Sequence, residues 1–108
     1  MRVMVAGPYS APTEEQRNRN AEAINKAAAE VLRRGHLPIV GVNAALPVVR
    51  AAGLEGEAEY EAIMRISLDL ADVCEAILCV GTSKGVEREK EKFIRRGCPV
   101  FTDPCQLP

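Results

Sequence analysis

Aromatic residues and an excess of charge are both lacking in this chain. Its 108 residues include no tryptophan, two tyrosines and two phenylalanines, too few for the aromatic sandwich expected around a flavin. The acidic pair expected after the first strand of a phosphoacceptor receiver is also missing. Fourteen basic and fifteen acidic side chains leave a net charge of −1, so no overall field favours binding to nucleic acid or an anionic membrane.

Metal-binding patterns are missing as well. The cysteines Cys74, Cys79, Cys98 and Cys105 show no CxxC spacing, and the single histidine, His36, has no ligand-type neighbour at metal spacing. Reduced, mostly buried thiols are the simplest interpretation, with a structural zinc or a nucleophilic cysteine as the alternative. We therefore predict no metal and no cofactor.

Long apolar runs are absent too. No segment approaches the roughly 20 residues needed to cross a bilayer. The start, MRVMVAGPYS, reaches glycine and proline too early for a signal peptide, so a cytoplasmic location is expected. Hydrophobic residues make up 47% of the chain, which is enough for residues 1–108 to form one domain around one core.

Apolar runs alternate with helical patterns along the chain. Strands are predicted at residues 2–6, 36–42, 76–81 and 100–102. Long helices are predicted from the Thr13 cap to Arg34, over residues 57–73 and after Ser83, and a loop leading into a short helix interrupted by Pro47 follows the second strand. This order predicts an α/β fold: a single-domain, open parallel sheet of the flavodoxin- or Rossmann-like kind, with helices on both faces.

Ligands of open parallel sheets bind beyond the carboxyl ends of the strands, where the strand order reverses. Three segments fall at that edge: residues 7–10, 41–45 and 81–85. The last of them opens the charged stretch SKGVEREKEKF. Ser83 is a good helix cap, and the free amides of the first turn after it favour an anion such as phosphate. Gly85 weakens that turn, which a close approach of ligand to the backbone would explain.

Three glutamates follow Gly85 in the same helix. Helical periodicity predicts a buried stripe of Val86, Phe93 and Ile94. It turns Glu91 outward but does not choose between Glu87 and Glu89. Glu89 lies one turn below Gly85, so a ligand over the glycine would meet its carboxylate. The alternative is that all three are solvated and paired with neighbouring lysines and arginines.

Several motifs resemble the nucleoside 2-deoxyribosyltransferase-like superfamily. They are GPYS after the first strand, D-L-x5-A before the third (Asp69, Leu70, Ala76), and S-x-G-V-x-x-E (Ser83, Gly85, Val86, Glu89). GPYSAPT, the Arg17-x-x-Asn20 pair, GH-x-P and the closing PVF resemble small members of that superfamily, and the similarity covers almost the whole chain.

The resemblance implies that Glu89 is a nucleophile. It would attack the anomeric carbon of a nucleoside or nucleoside 5′-monophosphate, release the base, and form a glycosyl ester that water or a second base resolves. Asp69 matches the second carboxylate of the superfamily. From the residues alone, Asp69 is equally well a surface or capping carboxylate.

The resemblance also implies substrate-binding positions. The Ser83 hydroxyl and the amides of Lys84 and Gly85 would hold a 5′-phosphate, and the Lys84 cation would strengthen that contact. The remaining candidates, for sugar, base or phosphate, are Gly7, Tyr9, Ser10, Arg17 and Asn43. The alternatives are that Tyr9 packs against the sheet edge and that Arg17 is solvated.

The chain also departs from the superfamily pattern. Many relatives carry Pro-His where this chain has Val42 and Asn43. The base-holding aspartate and the C-terminal asparagine of true deoxyribosyltransferases have no match, which favours plain hydrolysis, or a different nucleotide substrate, over base exchange between deoxynucleosides. A non-catalytic nucleotide-binding module on the same fold is the competing hypothesis. The resemblance further implies a homodimer or homotetramer, with the apolar residues 45–49 at an interface.

Overall fold

The predicted alternation of strands and helices is confirmed. A computed structural model describes all 108 residues as four strands and four α-helices. The strands are β1 (Arg2–Ala6), β2 (Leu37–Ile39), β3 (Ala76–Cys79) and β4 (Val100–Phe101), and the helices are α1 (Glu14–Arg33), α2 (Gly41–Ala51), α3 (Gly56–Ala71) and α4 (Lys84–Arg95). A short 3-10 turn, Pro104–Gln106, follows β4.

All strand pairs are parallel, in the order β2-β1-β3-β4. The chain leaves β1 for one neighbour, β2, and then crosses to the other side to form β3. The order therefore reverses between β1 and β3, whose last residues, Ala6 and Cys79, lie side by side. The loops after these two residues flank a crevice at the carboxyl edge of the sheet.

Both faces of the sheet are covered, because the buried strands carry apolar side chains on each side. Val3 and Val5 of β1 pack with Ile24 and Val31 of α1. Met4, between those two valines, points the other way and packs in a second cluster with residues of α3 and α4, including Phe93. The predicted open sheet with helices on both faces is thus confirmed.

The second strand and the segment after it differ from the prediction. The strand predicted over residues 36–42 ends at Ile39, and helix α2 begins at Gly41 and continues through Pro47. Proline inside a helix removes a hydrogen bond and costs roughly 3 kcal/mol. The helix persists because Gly41, Ala45 and Val49, spaced four apart, are buried.

The buried stripes of two helices also differ in detail. Leu32 is apolar but 61% exposed at the end of α1, and Ile94 of α4, which is predicted in the buried stripe, is 52% exposed. In α4 the buried residues are Val86, Glu89 and Phe93. The buried face of α4 therefore excludes the predicted Ile94 and includes the carboxylate of Glu89. The predicted caps at the helix starts are confirmed. The Thr13 side chain caps α1 by accepting a hydrogen bond from the backbone amide of Gln16, and Ser83 caps α4 by accepting one from Val86.

The four thiols are free, and they differ in environment. Cys74 and Cys79 are buried, Cys98 is half-buried and Cys105 is exposed. Burial raises the pKa of the Cys74 and Cys79 thiols. None of the helices is both long and apolar enough to cross a membrane.

The adjacent residues Phe93 and Ile94 allow a direct test of how α4 is oriented. Phe93 is fully buried, so Phe93→Ala should lower the free energy of unfolding by about 3 to 5 kcal/mol. Ile94→Ala should change it by no more than about 0.5 kcal/mol, because that side chain is half in solvent. Urea denaturation followed by circular dichroism measures both, and equal losses would contradict this placement of α4.

Candidate active site

A cavity of about 600 Å³ opens at the crevice between the carboxyl ends of β1 and β3. Its walls are the loop after β1, Val42 and Arg50 of α2, one face of α3 and the first turns of α4. This is the edge at which the parallel topology places ligand sites. All three predicted segments contribute residues to the wall, residues 7–10 and 81–85 with several each and residues 41–45 with Val42.

Glu89 is the charged side chain that the fold buries, with 8% of its surface exposed. It projects from the second turn of α4 and lines the cavity. Ser67 of α3, 2% exposed, donates its hydroxyl hydrogen to Glu89 Oε2 over 3.1 Å. A carboxylate and a hydroxyl from two different helices therefore form a buried polar pair against the cavity.

The other two glutamates of α4 are surface residues. Glu87 accepts a hydrogen bond from Thr82 and pairs with Lys90. Glu91 is exposed and pairs with Arg95 over 3.0 Å. The structure thus shows that only Glu89 of the three glutamates is buried, a choice between Glu87 and Glu89 that helical periodicity alone does not make.

Burial raises the pKa of Glu89 to about 7, from an ordinary value of 4.5. Desolvation is the larger cause, because the charged form loses water at this position. The hydrogen bond from Ser67 acts in the opposite direction and favours the carboxylate. Protonated and ionised Glu89 are consequently both well populated at neutral pH, as is common for groups that act in catalysis.

The first turn of α4 forms one side of the cavity. The Ser83 hydroxyl caps the helix by accepting a hydrogen bond from the backbone amide of Val86 over 3.1 Å. The next two residues, Lys84 and Gly85, also line the cavity. The Lys84 ammonium lies 5.6 Å from the centre of the Tyr60 ring. A Cβ added to Gly85 would lie 3.1 Å from the sulfur of Met64, a tight contact, so the close approach of α3 also favours glycine at this position.

The loop after β1 forms another side, and side chains from two helices hold it in place. Asn20 donates to the carbonyl of Tyr9 over 3.0 Å, and Arg17 donates to the carbonyl of Ala11 over 2.9 Å. Arg50 of α2 donates to the Tyr9 hydroxyl over 3.1 Å. Tyr9 is thereby fixed at its backbone and at its ring.

Three cations of the cavity wall lack acidic partners. Eight basic side chains elsewhere in the chain pair with carboxylates. Arg17, Arg50 and Lys84 are not among them, and all three line the cavity. Cations without acidic partners in the same cavity as a buried carboxylate suit a ligand that is anionic at one end and electron-deficient at the other.

The structure brings most of the predicted site residues to this one cavity. They are Gly7, Tyr9, Ser10, Arg17, Ser83, Lys84, Gly85 and Glu89. Two candidates lie elsewhere. Asp69 is exposed and borders a separate, open groove beside Arg65 and Arg88. Asn43 is exposed and donates to Asn25.

Residues absent from the predicted set also line the cavity, notably Ser67, Arg50, Glu59 and Tyr60. Ser67 has a signal in the sequence, since it is the polar member of a buried stripe that includes Met64 and Ala71. Arg50 has none, because its placement depends on how α2 packs. No three histidine, cysteine or acidic side chains are grouped so that they could hold a metal ion.

No protein-family model matches this chain, and no curated protein is significantly similar to it in sequence. The superfamily resemblance of its motifs therefore contributes an expectation about function. The cavity geometry contributes the physical evidence.

The raised pKa of Glu89 predicts a specific pH dependence of stability. Between pH 4.5 and 7 the unfolded chain loses this proton while the folded chain keeps it, so the free energy of unfolding falls with rising pH. Glu89→Gln removes this contribution. The free energy of unfolding of this variant, measured relative to that of wild type, should therefore rise by about 3 kcal/mol from pH 4 to pH 8.

The measurement is a series of urea denaturations across that pH range. Glu87→Gln is the matched control, because Glu87 is exposed and its removal should give a difference that stays flat. A flat difference for Glu89→Gln as well would show that Glu89 ionises like a surface carboxylate.

Proposed function

We propose that this protein is a cytoplasmic N-glycosidase that cleaves the bond between base and sugar in a nucleoside 5′-monophosphate, with Glu89 as nucleophile. The observation that carries the proposal is the buried carboxylate of Glu89, which lines a cavity whose wall includes the amino end of α4 and three unpaired cations. The superfamily resemblance of the motifs supports it, and the nucleoside itself is the simpler substrate of the same class.

The dimensions of α4 suit a ribose phosphate. Gly85 and Glu89 are four residues apart, or about 6 Å along the helix axis. A phosphate at the first-turn amides, near Lys84, would place the sugar ring along the helix towards Glu89. The anomeric carbon, which gains positive charge in the transition state, would then face the carboxylate.

In the proposed reaction an oxygen of the Glu89 carboxylate attacks the anomeric carbon. The carbon–oxygen bond of a glycosyl ester forms as the bond to the base nitrogen breaks, and the base leaves with the electron pair and takes a proton from water. A water molecule then hydrolyses the ester and restores the carboxylate. Only ionised Glu89 can attack, so base release should increase as pH rises through about 7.

A second candidate function is nucleotide binding without catalysis. Retaining glycosidases use two carboxyl groups, and Asp69 is not in the cavity. Glu59 is the other carboxylate of the wall, but it lies on α3 about two turns away from Ser67, the residue that contacts Glu89. This separation favours the binding module, since no second acid lies next to the nucleophile.

We further propose a homodimer or homotetramer with α2 at the interface. Of the apolar segment 45–49, Ala45 and Val49 are buried within the chain. Pro47 and Val48 are exposed, Val48 at 61%, so this outer side of the helix is the part available to a second copy.

The proposed reaction is tested by incubating the protein with ribo- and deoxynucleoside 5′-monophosphates and measuring free base by chromatography. Glu89→Gln should lower base release by at least about a thousandfold, because an amide cannot form the ester. Glu87→Gln, two residues away and exposed, should retain near wild-type activity.

Titration calorimetry with the same nucleotides separates the two candidate functions. Tight binding with no base released by wild-type protein would favour the binding module. Equal base release by the two glutamine variants would reject Glu89 as nucleophile.

A further inference from the structure

We infer that Ser67 is a positioning residue for Glu89, and that glycine at position 41 leaves the space that the Ser67 hydroxyl occupies. This assignment rests on the proposed function for its catalytic consequence. Its structural basis is the buried contact among three helices, α2, α3 and α4.

The contact assigns different roles to the two oxygens of Glu89. Ser67 donates to Oε2 over 3.1 Å, and both side chains are more than nine-tenths buried. Oε1 has no hydrogen-bond partner within the chain. The hydroxyl therefore holds one carboxylate oxygen and leaves the other to face a substrate.

Gly41 restricts where the Ser67 hydroxyl can lie. It is the first residue of α2 and is buried, and a Cβ built on it would overlap the Ser67 hydroxyl oxygen. Any side chain at this position would push the hydroxyl away from its present place. The start of α2 thus acts on Glu89 through Ser67, although Gly41 does not itself contact the carboxylate.

Other ionisable groups near the cavity do not replace this hydrogen bond. The wall carries Tyr9, Arg17, Arg50, Glu59, Tyr60 and Lys84. None of them offsets the burial of Glu89, whose charged form is favoured by Ser67 alone. Cys79 of β3 is close enough for the Glu89 charge to raise its pKa, although burial is the larger cause.

Removing the hydroxyl should therefore have two effects on the reaction. Glu89 would keep its proton to higher pH, so the acid limb of the rate profile would move in the alkaline direction. The freed carboxylate would also lose its fixed orientation, so activity at high pH would recover only in part. A residue that merely fills space would change neither the pH profile nor the ionisation of Glu89.

The test is a carbon-13 NMR titration of the glutamate carboxyl groups, with the Glu89 signal assigned by its absence in Glu89→Gln. Ser67→Ala should raise the midpoint of Glu89 by about one pH unit. Gly41→Ala should raise it in the same direction. Thr82→Val is the matched control: its hydroxyl also donates to a glutamate, Glu87, over 3.1 Å, but at the surface.

An unchanged Glu89 midpoint in Ser67→Ala would overturn the inference. A shift of the Glu89 midpoint in Thr82→Val as large as that in Ser67→Ala would also overturn it. If Ser67→Ala does not fold, Ser67→Cys keeps the side-chain shape with a larger atom and a weaker donor, and it should raise the midpoint by a smaller amount. The titration needs no substrate. A wild-type protein that releases no base would therefore reject the proposed function while leaving this test intact.

Discussion

The burial of one carboxylate is the constraint on which the arrangement of this protein depends. Glu89 lies between Val86 and Phe93 on the inner side of α4, a position that an apolar side chain would fill at no electrostatic cost. One hydroxyl, from Ser67, and access to the cavity are what the fold provides in compensation. Where α2 packs on α3, Gly41 leaves the space that this hydroxyl occupies.

The sheet topology decides what surrounds this carboxylate. Because β1 and β3 are adjacent and parallel, the loops after both strands end at the same edge. One loop supplies Tyr9, and the other supplies the amino end of α4. Residues far apart in sequence are thereby grouped in a single cavity, and Arg17 and Arg50 join them by holding the first loop. Local sequence composition could not have placed Arg50 there.

How far the sequence predicts this structure depends on the kind of signal at each position. Buried strands bounded by glycine and capped helices such as the one after Ser83 are local features, and they are predicted correctly. The start of α2 is not, because the run around Ile39 is as apolar as a strand and only packing on α3 decides where helix begins. The carboxylate Asp69 and the hydroxyl Ser67 are two residues apart. Two residues turn a helix by about 200°, so one is exposed and the other faces the cavity. The sequence motif predicts Asp69 as a site residue, whereas the geometry of the helix places Ser67 at the cavity.

The balance between burial and hydrogen bonding at Glu89 bears on why the residue is charged at all. A cavity that only bound an anionic nucleotide would gain from its three cations and would be weakened by a buried carboxylate nearby. The carboxylate destabilises the folded chain above neutral pH and opposes the binding of a phosphate. A carboxylate in this position is useful if it acts on an electron-deficient centre that appears only during reaction, because its charge then lowers the reaction barrier. The sign of the charge at Glu89, set against the cations of the cavity wall, therefore supports the proposed catalytic role, whereas the lack of a neighbouring second acid supports the binding module.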